Sequence, residues 1–248
     1  MTDARRTVGD GPKRAAVLAP AMPVWDGGAF LGPVTGLLTA AGYRVTVYDT
    51  LSADRPDFTA AADHWAAELA ADGRPDLIAG AALGGATALD LLARPAFRGT
   101  PALLISAPMR ADAELDERLG AISALAAAGD LDAALALLEH RVAPATGAGE
   151  PPRTTPVPAP ASPGSTRLAR GLPLLRGLDL GAAEPRLDGP LLHLYGEHSQ
   201  LVTGRHGVPP RPPHRHSTPV PGAGMRPQAD NPPFTAAAVG RFLEELAA

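Results

Sequence analysis

Short apolar runs alternate with helical segments from about residue 15 to residue 106, and this alternation confines the chain to a mostly parallel sheet covered by helices. The strand runs are residues 15–20 (AAVLAP), 43–49 (YRVTVYD), 76–80 (DLIAG) and 101–106 (PALLIS), with another at 190–195 (PLLHLY). Between them, residues 29–41, 57–71 and 86–93 place apolar side chains at helical spacing. After Ser106 the alternation breaks. Residues 111–142 read as two helices joined at Gly129-Asp130, and residues 143–165 are mostly Pro, Ala, Thr and Gly with little to bury, the pattern of a mobile excursion. Residues 204–213 (GRHGVPPRPP) cannot form a helix because their prolines lack the backbone donor. Residues 234–246 make a closing amphipathic helix with proline near its first turn. The expected organisation is a flexible polar tail (1–13), an α/β core (14–110 and 186–248) and an inserted helical cap (111–185).

Composition removes whole classes of function. With no cysteine among 248 residues, a disulfide framework, a thiolate metal site and a cysteine nucleophile are excluded. Lys+Arg 22 against Asp+Glu 26 gives a net charge of −4, and no basic stripe of the kind that neutralises phosphates occurs, so nucleic acid is not an expected partner. No apolar run approaches the ~18 residues of a membrane span. The expectation is a cytoplasmic protein without membrane contact.

Three local stretches carry the functional signal. Gly80-Ala81-Ala82-Leu83-Gly84 follows a strand and opens a helix; Gly196-Glu197-His198-Ser199-Gln200-Leu201-Val202 follows the strand run at 190–195; Pro221-Gly222-Ala223-Gly224-Met225-Arg226-Pro227 precedes the last helix. In order and context they resemble the nucleophile elbow (G-x-S-x-G), acid loop and histidine loop of the α/β-hydrolase family. The resemblance extends over most of the chain and implies that fold, with helices on both sheet faces and a cap inserted after the strand ending near Ser106.

Each stretch departs from the family at the residue that performs the chemistry. Ala82 stands at the serine position, Ser199 at the aspartate position and Met225 at the histidine position. Alanine is no nucleophile, serine cannot stabilise an imidazolium, and methionine cannot accept a proton. A shifted alignment, with His198 serving for Met225 or Asp112 for Ser199, is the alternative. In a serine hydrolase, loss of the triad costs on the order of 10⁶ in rate, so ordinary hydrolysis is not expected. The family's oxyanion hole is backbone and can survive; the resemblance places its donors at Met22 N–H and Leu83 N–H, with glycines 80, 84 and 85 permitting the tight elbow.

The internal methionines, Met22, Met109 and Met225, all fall after strand runs, where such a fold places its ligands. Together with Trp25, Ala82 and Leu83 they form the expected lining of a soft apolar pocket for a lipid-like or polyketide-like molecule. His198 is the candidate for proton transfer, and Glu197 is read as a loop tie. Arg110 and Asp112 face either the ligand or solvent at a helix start. His64 and His140 read as surface residues and His193 as a core residue. The His214-x-His216 pair has no accompanying carboxylate, so neither metal nor cofactor is expected. Two functions fit: a non-hydrolytic enzyme of elimination, cyclisation or rearrangement type in a biosynthetic pathway, or a catalytically silent ligand-binding protein. A hydrolase with another nucleophile is a minor third.

Overall fold

Alternation of apolar side chains along the strands decides how the sheet is covered. The computed structural model describes residues 4–147, 149–150, 152–211 and 213–248; residues 1–3, 148, 151 and 212, which fall in the expected tail, excursion and proline-rich stretch, lie outside the described residues. Strands β1 (Arg5–Val8), β2 (Lys13–Leu18), β3 (Tyr43–Tyr48), β4 (Leu77–Ala81), β5 (Ala102–Ile105), β6 (Leu191–Gly196) and β7 (Arg215–Val220) form one sheet in the order β1-β3-β2-β4-β5-β6-β7. Every pairing is parallel except that of β1 with β3. Val17, Val45, Val47, Ala79 and Leu103 point to one face, under helices α1 (Gly32–Ala40) and α8 (Pro232–Glu245). Their neighbours Leu18, Ile78 and Leu104 point to the other, under α2 (Phe58–Ala71) and α3 (Leu83–Leu92). Both faces are buried, which is why the central strands read as continuous apolar runs rather than alternating ones.

Between β5 and β6 the chain forms α4 (Ala113–Ala127), α5 (Leu131–Val142) and α6 (Pro163–Gly171), whose apolar sides join Leu83, Ala86 and Leu201 in a third cluster above the strand ends. Asp112 and Asp130 cap α4 and α5, accepting the N–H groups of Leu115 (2.9 Å) and Ala133 (3.3 Å). A short helix α7 (Pro227–Asp230) precedes α8. No helix of the described residues is long and apolar enough to cross a membrane.

Two expectations need correction, and one strand escapes the sequence pattern. The polar tail is not free: residues 5–8 add an antiparallel edge strand to β3, and their side chains stay polar because they are mostly exposed. The excursion is tethered rather than loose. Val157 N–H and Arg153 both reach the Asp130 carboxylate (2.9 and 3.0 Å), Ala159 N–H reaches Ala128 O (2.9 Å), and a capping box between Ser162 and Ser165 starts α6. Strand β7 was hidden by its sequence, RHSTPV. It tolerates Pro219 because it is the sheet edge.

Candidate functional site

The loops that leave β2, β4, β5, β6 and β7 at their carboxyl ends converge on a cavity of about 190 Å³ roofed by α4, α5 and the turn at residues 172–175. Met22, Phe30, Ala82, Leu83, Leu201 and Met225 contribute from below, and Leu115, Leu119, Leu138 and Leu175 from above. Among the described residues that line it, only Ser106, Glu139 and Arg226 have polar side chains. A larger hollow of about 370 Å³ lies where β2 and β3 begin, but Arg5, Arg14, Arg44 and Asp72 make it a charged surface. Position at a sheet's carboxyl end, with apolar walls and few converging polar groups, favours the first as the ligand site.

The turn from β4 into α3 at Ala82 is tight. Ala82 has φ 46° and ψ −113°, a conformation that strains any residue with a Cβ. A Cβ on Gly84 would run into the Leu18 carbonyl and one on Gly85 into Ala107, so both glycines are required for α3 to sit against the sheet. The strain turns the start of α3 toward the cavity. Leu83 N–H and Met22 N–H donate to no other group among the described residues, and both residues line the cavity. Two open donors, one at the amino end of a ten-residue helix, form an anion-favouring corner.

The loops that carry Ser199 and Met225 meet beside the cavity. Ser199 is buried, and its Oγ donates to Met225 Sδ at 3.8 Å. The loops bearing them are clasped: Glu197 accepts Gly222 N–H (3.1 Å), His198 N–H reaches Ala223 O (2.8 Å), and Met225 N–H reaches Val142 O at the end of α5 (2.8 Å). Glu197 is thus the loop tie expected of it. The shifted alignments fail: Asp112 caps α4 and pairs with Arg205 (2.9 Å), while His198 lies beside Glu197 (3.7 Å) and outside the cavity lining. Leu115 N–H, first among several partners, holds the Asp112 carboxyl below its ordinary range.

Three sequence-derived site residues are therefore corrected. His198 does not reach the cavity, because the turn that buries Ser199 directs its neighbour outward. Met109 is 1% exposed in the core beneath the opposite face with Leu104 and Val208, its N–H and C=O bonded to His206 and Leu180, because the chain after Ser106 crosses to that face before α4 begins. Trp25 packs on the α1/α8 side of the sheet. The Asp26 carboxylate accepts Gly28 and Phe30 N–H (both 2.7 Å), and this turn puts Phe30 in the cavity where Trp25 was expected.

Two residues escaped the sequence reading. Ser106, 1% exposed, has φ 44°, and its Oγ has no hydrogen-bond partner among the described residues. It ends β5 at the level where Ala82 ends β4, since Ala81 pairs with Ile105 and Ala82 N–H donates to Ile105 O (3.1 Å). Arg167 on α6 grips the buried Asp49 carboxylate with both terminal nitrogens (2.7 and 3.1 Å) and donates through Nε to Met22 O (2.9 Å). A serine closing an apolar run was the available signal for the first. Nothing local announces the second.

His193 ties down the backbone just after Ser106. Its ring is wholly buried; Nε2 accepts Ala107 N–H (3.1 Å) and Nδ1 faces Ser217 Oγ (3.2 Å), an arrangement that needs the neutral ring. Burial pushes its pKa down to about 4. The unfolded chain takes up this proton near pH 6.5 and the folded chain only near 4, so stability is full above 6.5 and is lost as pH falls through that window, by about 3 kcal/mol. Urea unfolding of wild type and His193→Gln between pH 7 and 4 should give a steeper fall for wild type; parallel profiles would refute the assignment.

No protein-family model matches the chain, and no curated relative matches it by sequence. Solved structures do match. A putative non-heme bromoperoxidase, BpoC, from Mycobacterium tuberculosis is 19% identical, with 99% of this chain and 96% of that one covered at a TM-score of 0.74. The enol-lactonase from Burkholderia xenovorans is 16% identical, with 97% and 95% covered at 0.74. MGS-M2, an alpha/beta hydrolase enzyme from a deep-sea metagenome library, is 12% identical, with 97% and 93% covered at 0.75. This chain has the α/β-hydrolase fold.

Proposed function

We propose that this chain is an α/β-hydrolase-fold protein that has given up hydrolysis and acts on a small hydrophobic carbonyl compound, lipid-like or polyketide-like, by cyclisation or rearrangement. The observation that carries the reading is the retention of a strained elbow at Ala82 beside two unpaired N–H groups, although nothing there is left to attack a substrate. Strain of roughly 1–3 kcal/mol persists only where its surroundings enforce it, and here it aims Leu83 N–H into the cavity. When the substrate's own enol carbon adds to a carbonyl held by Met22 and Leu83, a carbon–carbon bond forms as the C=O π bond breaks. The charge developing on that oxygen would be stabilised by the two N–H groups, and the enol's proton passes to it, so no protein base is required. The apolar walls would fold the rest of the molecule into a reactive conformer, and orientation alone can supply several kcal/mol of barrier reduction.

Elimination, which needs a base, is not part of the proposal. Among the described residues the only ionisable side chains in the lining are Glu139 and Arg226, and they bond to each other (2.9 and 3.3 Å) at the exposed margin. That same lack of a proton acceptor favours the second reading, a silent ligand-binding protein.

The two readings separate in one experiment. Protein at one-hundredth the concentration of a linear poly-β-keto N-acetylcysteamine thioester is followed by mass spectrometry and NMR. Formation of an isomer of unchanged mass, or of a cyclised product with loss of the thiol, over many turnovers supports the enzyme. Saturable line broadening without conversion supports the binder, and release of the linear free acid would overturn the loss of hydrolysis.

A further inference from the structure

We propose that Ser106 is a ligand-recognition residue, and that the ligand therefore carries a second oxygen β to the carbonyl held by Met22 and Leu83. This deepens the carbonyl-pocket reading above and rests on it. Ser106 combines two unfavourable features at one residue. It is left-handed without being glycine, and its hydroxyl is sealed in the interior with no partner among the described residues. A buried unsatisfied hydroxyl destabilises a protein, and cores replace such groups with alanine unless they are used.

The location supplies the use. Ala82 and Ser106, the non-glycine residues with positive φ among those described, end neighbouring parallel strands at one level. Strands lie about 4.8 Å apart, and donors that each reach about 2.9 Å into one cavity from neighbouring strand ends can meet two oxygens separated by the shorter gap of a 1,3-dioxygenated chain. Rotation about the single χ1 bond carries Oγ between its staggered positions, so a ligand oxygen can recruit it at little cost. Ser106 is not a competing nucleophile, because no base contacts its Oγ and the nearby His193 Nε2 is occupied by Ala107 N–H. The occupant that satisfies every open group is a β-keto or β-hydroxy carbonyl compound: one oxygen on the two N–H groups, the other on Ser106.

Calorimetric titration with 1-phenyl-1,3-butanedione and with butyrophenone, which lacks the second oxygen, tests this. Wild type should bind the diketone about tenfold more tightly, equivalent to ~1.4 kcal/mol. Ser106→Ala should bind both alike, with butyrophenone affinity unchanged and a melting temperature equal to or above wild type. Equal affinities in wild type would overturn the inference while leaving the carbonyl pocket standing, a result independent of how the variant folds. A lowered melting temperature with equal losses for both ketones would mark Ser106 as structural and also overturn it. Failure of wild type to bind either ketone would overturn the carbonyl pocket and this inference together.

Discussion

Ala82→Ser alone is expected to leave p-nitrophenyl acetate hydrolysis at the wild-type background, whereas the triple variant Ala82→Ser/Ser199→Asp/Met225→His is expected to exceed it on the order of 10³-fold or more. Triad members act as a unit, so restoring one of three returns almost nothing. The scaffold for the unit is already in place. A serine at residue 82 would inherit the elbow, with φ 46° and ψ −113°, next to the open Leu83 N–H. Ser199 Oγ and Met225 Sδ are in contact at 3.8 Å, so an aspartate and a histidine built there fall within hydrogen-bond reach. The serine variant lacks this partner: its hydroxyl meets a thioether that cannot take its proton. Initial rates with a denatured control are the measurement, and the triple variant's rate should rise with pH through the imidazole range. A vigorous Ala82→Ser enzyme would mean that a base other than residue 225 serves the elbow. A folded triple variant at background would mean that the three loops do not converge as placed.

Most of the sheet was legible because parallel strands buried on both faces write themselves as apolar runs, and β2 to β6 each coincide with one. Edge strands escape that rule. β1 and β7 are polar along much of their length, and their pairing partners lie elsewhere in the chain. The stretches around Ala82, Ser199 and Met225 were readable for a related reason: tight turns and loop ties leave local fingerprints of glycine and proline. Side-chain direction leaves none. Met22 and Met109 looked alike in sequence, each following a strand run. Yet one lines the cavity and the other lies under the opposite face, because the chain crosses over after Ser106. Trp25 and His198 were displaced likewise by single turns, at Asp26 and at Ser199. Ser106 became visible only through the register of β4 against β5, and Arg167 only through a contact spanning 118 residues of sequence.

That contact carries the second large effect. Arg167→Met is expected to destabilise the protein by about 3 kcal/mol, because it strands a carboxylate rather than merely deleting an attraction. The Asp49 side chain is 6% exposed and that of Arg167 22%, which places the cost at the lower end of the range for broken buried pairs. For a chain of this size the melting temperature should fall by roughly 6–12 °C. Arg167→Met/Asp49→Leu should recover most of the loss, since a well-packed apolar pair is often as stable as the ion pair it replaces. The Arg226–Glu139 pair provides the contrast, its side chains being 33% and 61% exposed; Glu139→Gln should move the melting temperature by no more than roughly 4 °C. A fall of under roughly 2 °C for Arg167→Met would show that α6 is held by its apolar face alone. The double variant separates charge from position. Even when its stability is restored, Met22 O has lost the Nε donor that holds it, so the backbone on both sides of Met22, including the N–H of the preceding peptide, is less constrained. Ketone binding should then weaken severalfold in a protein that melts near the wild-type temperature. Unweakened binding would show that Arg167 fastens the helical layer without positioning the donor beneath it.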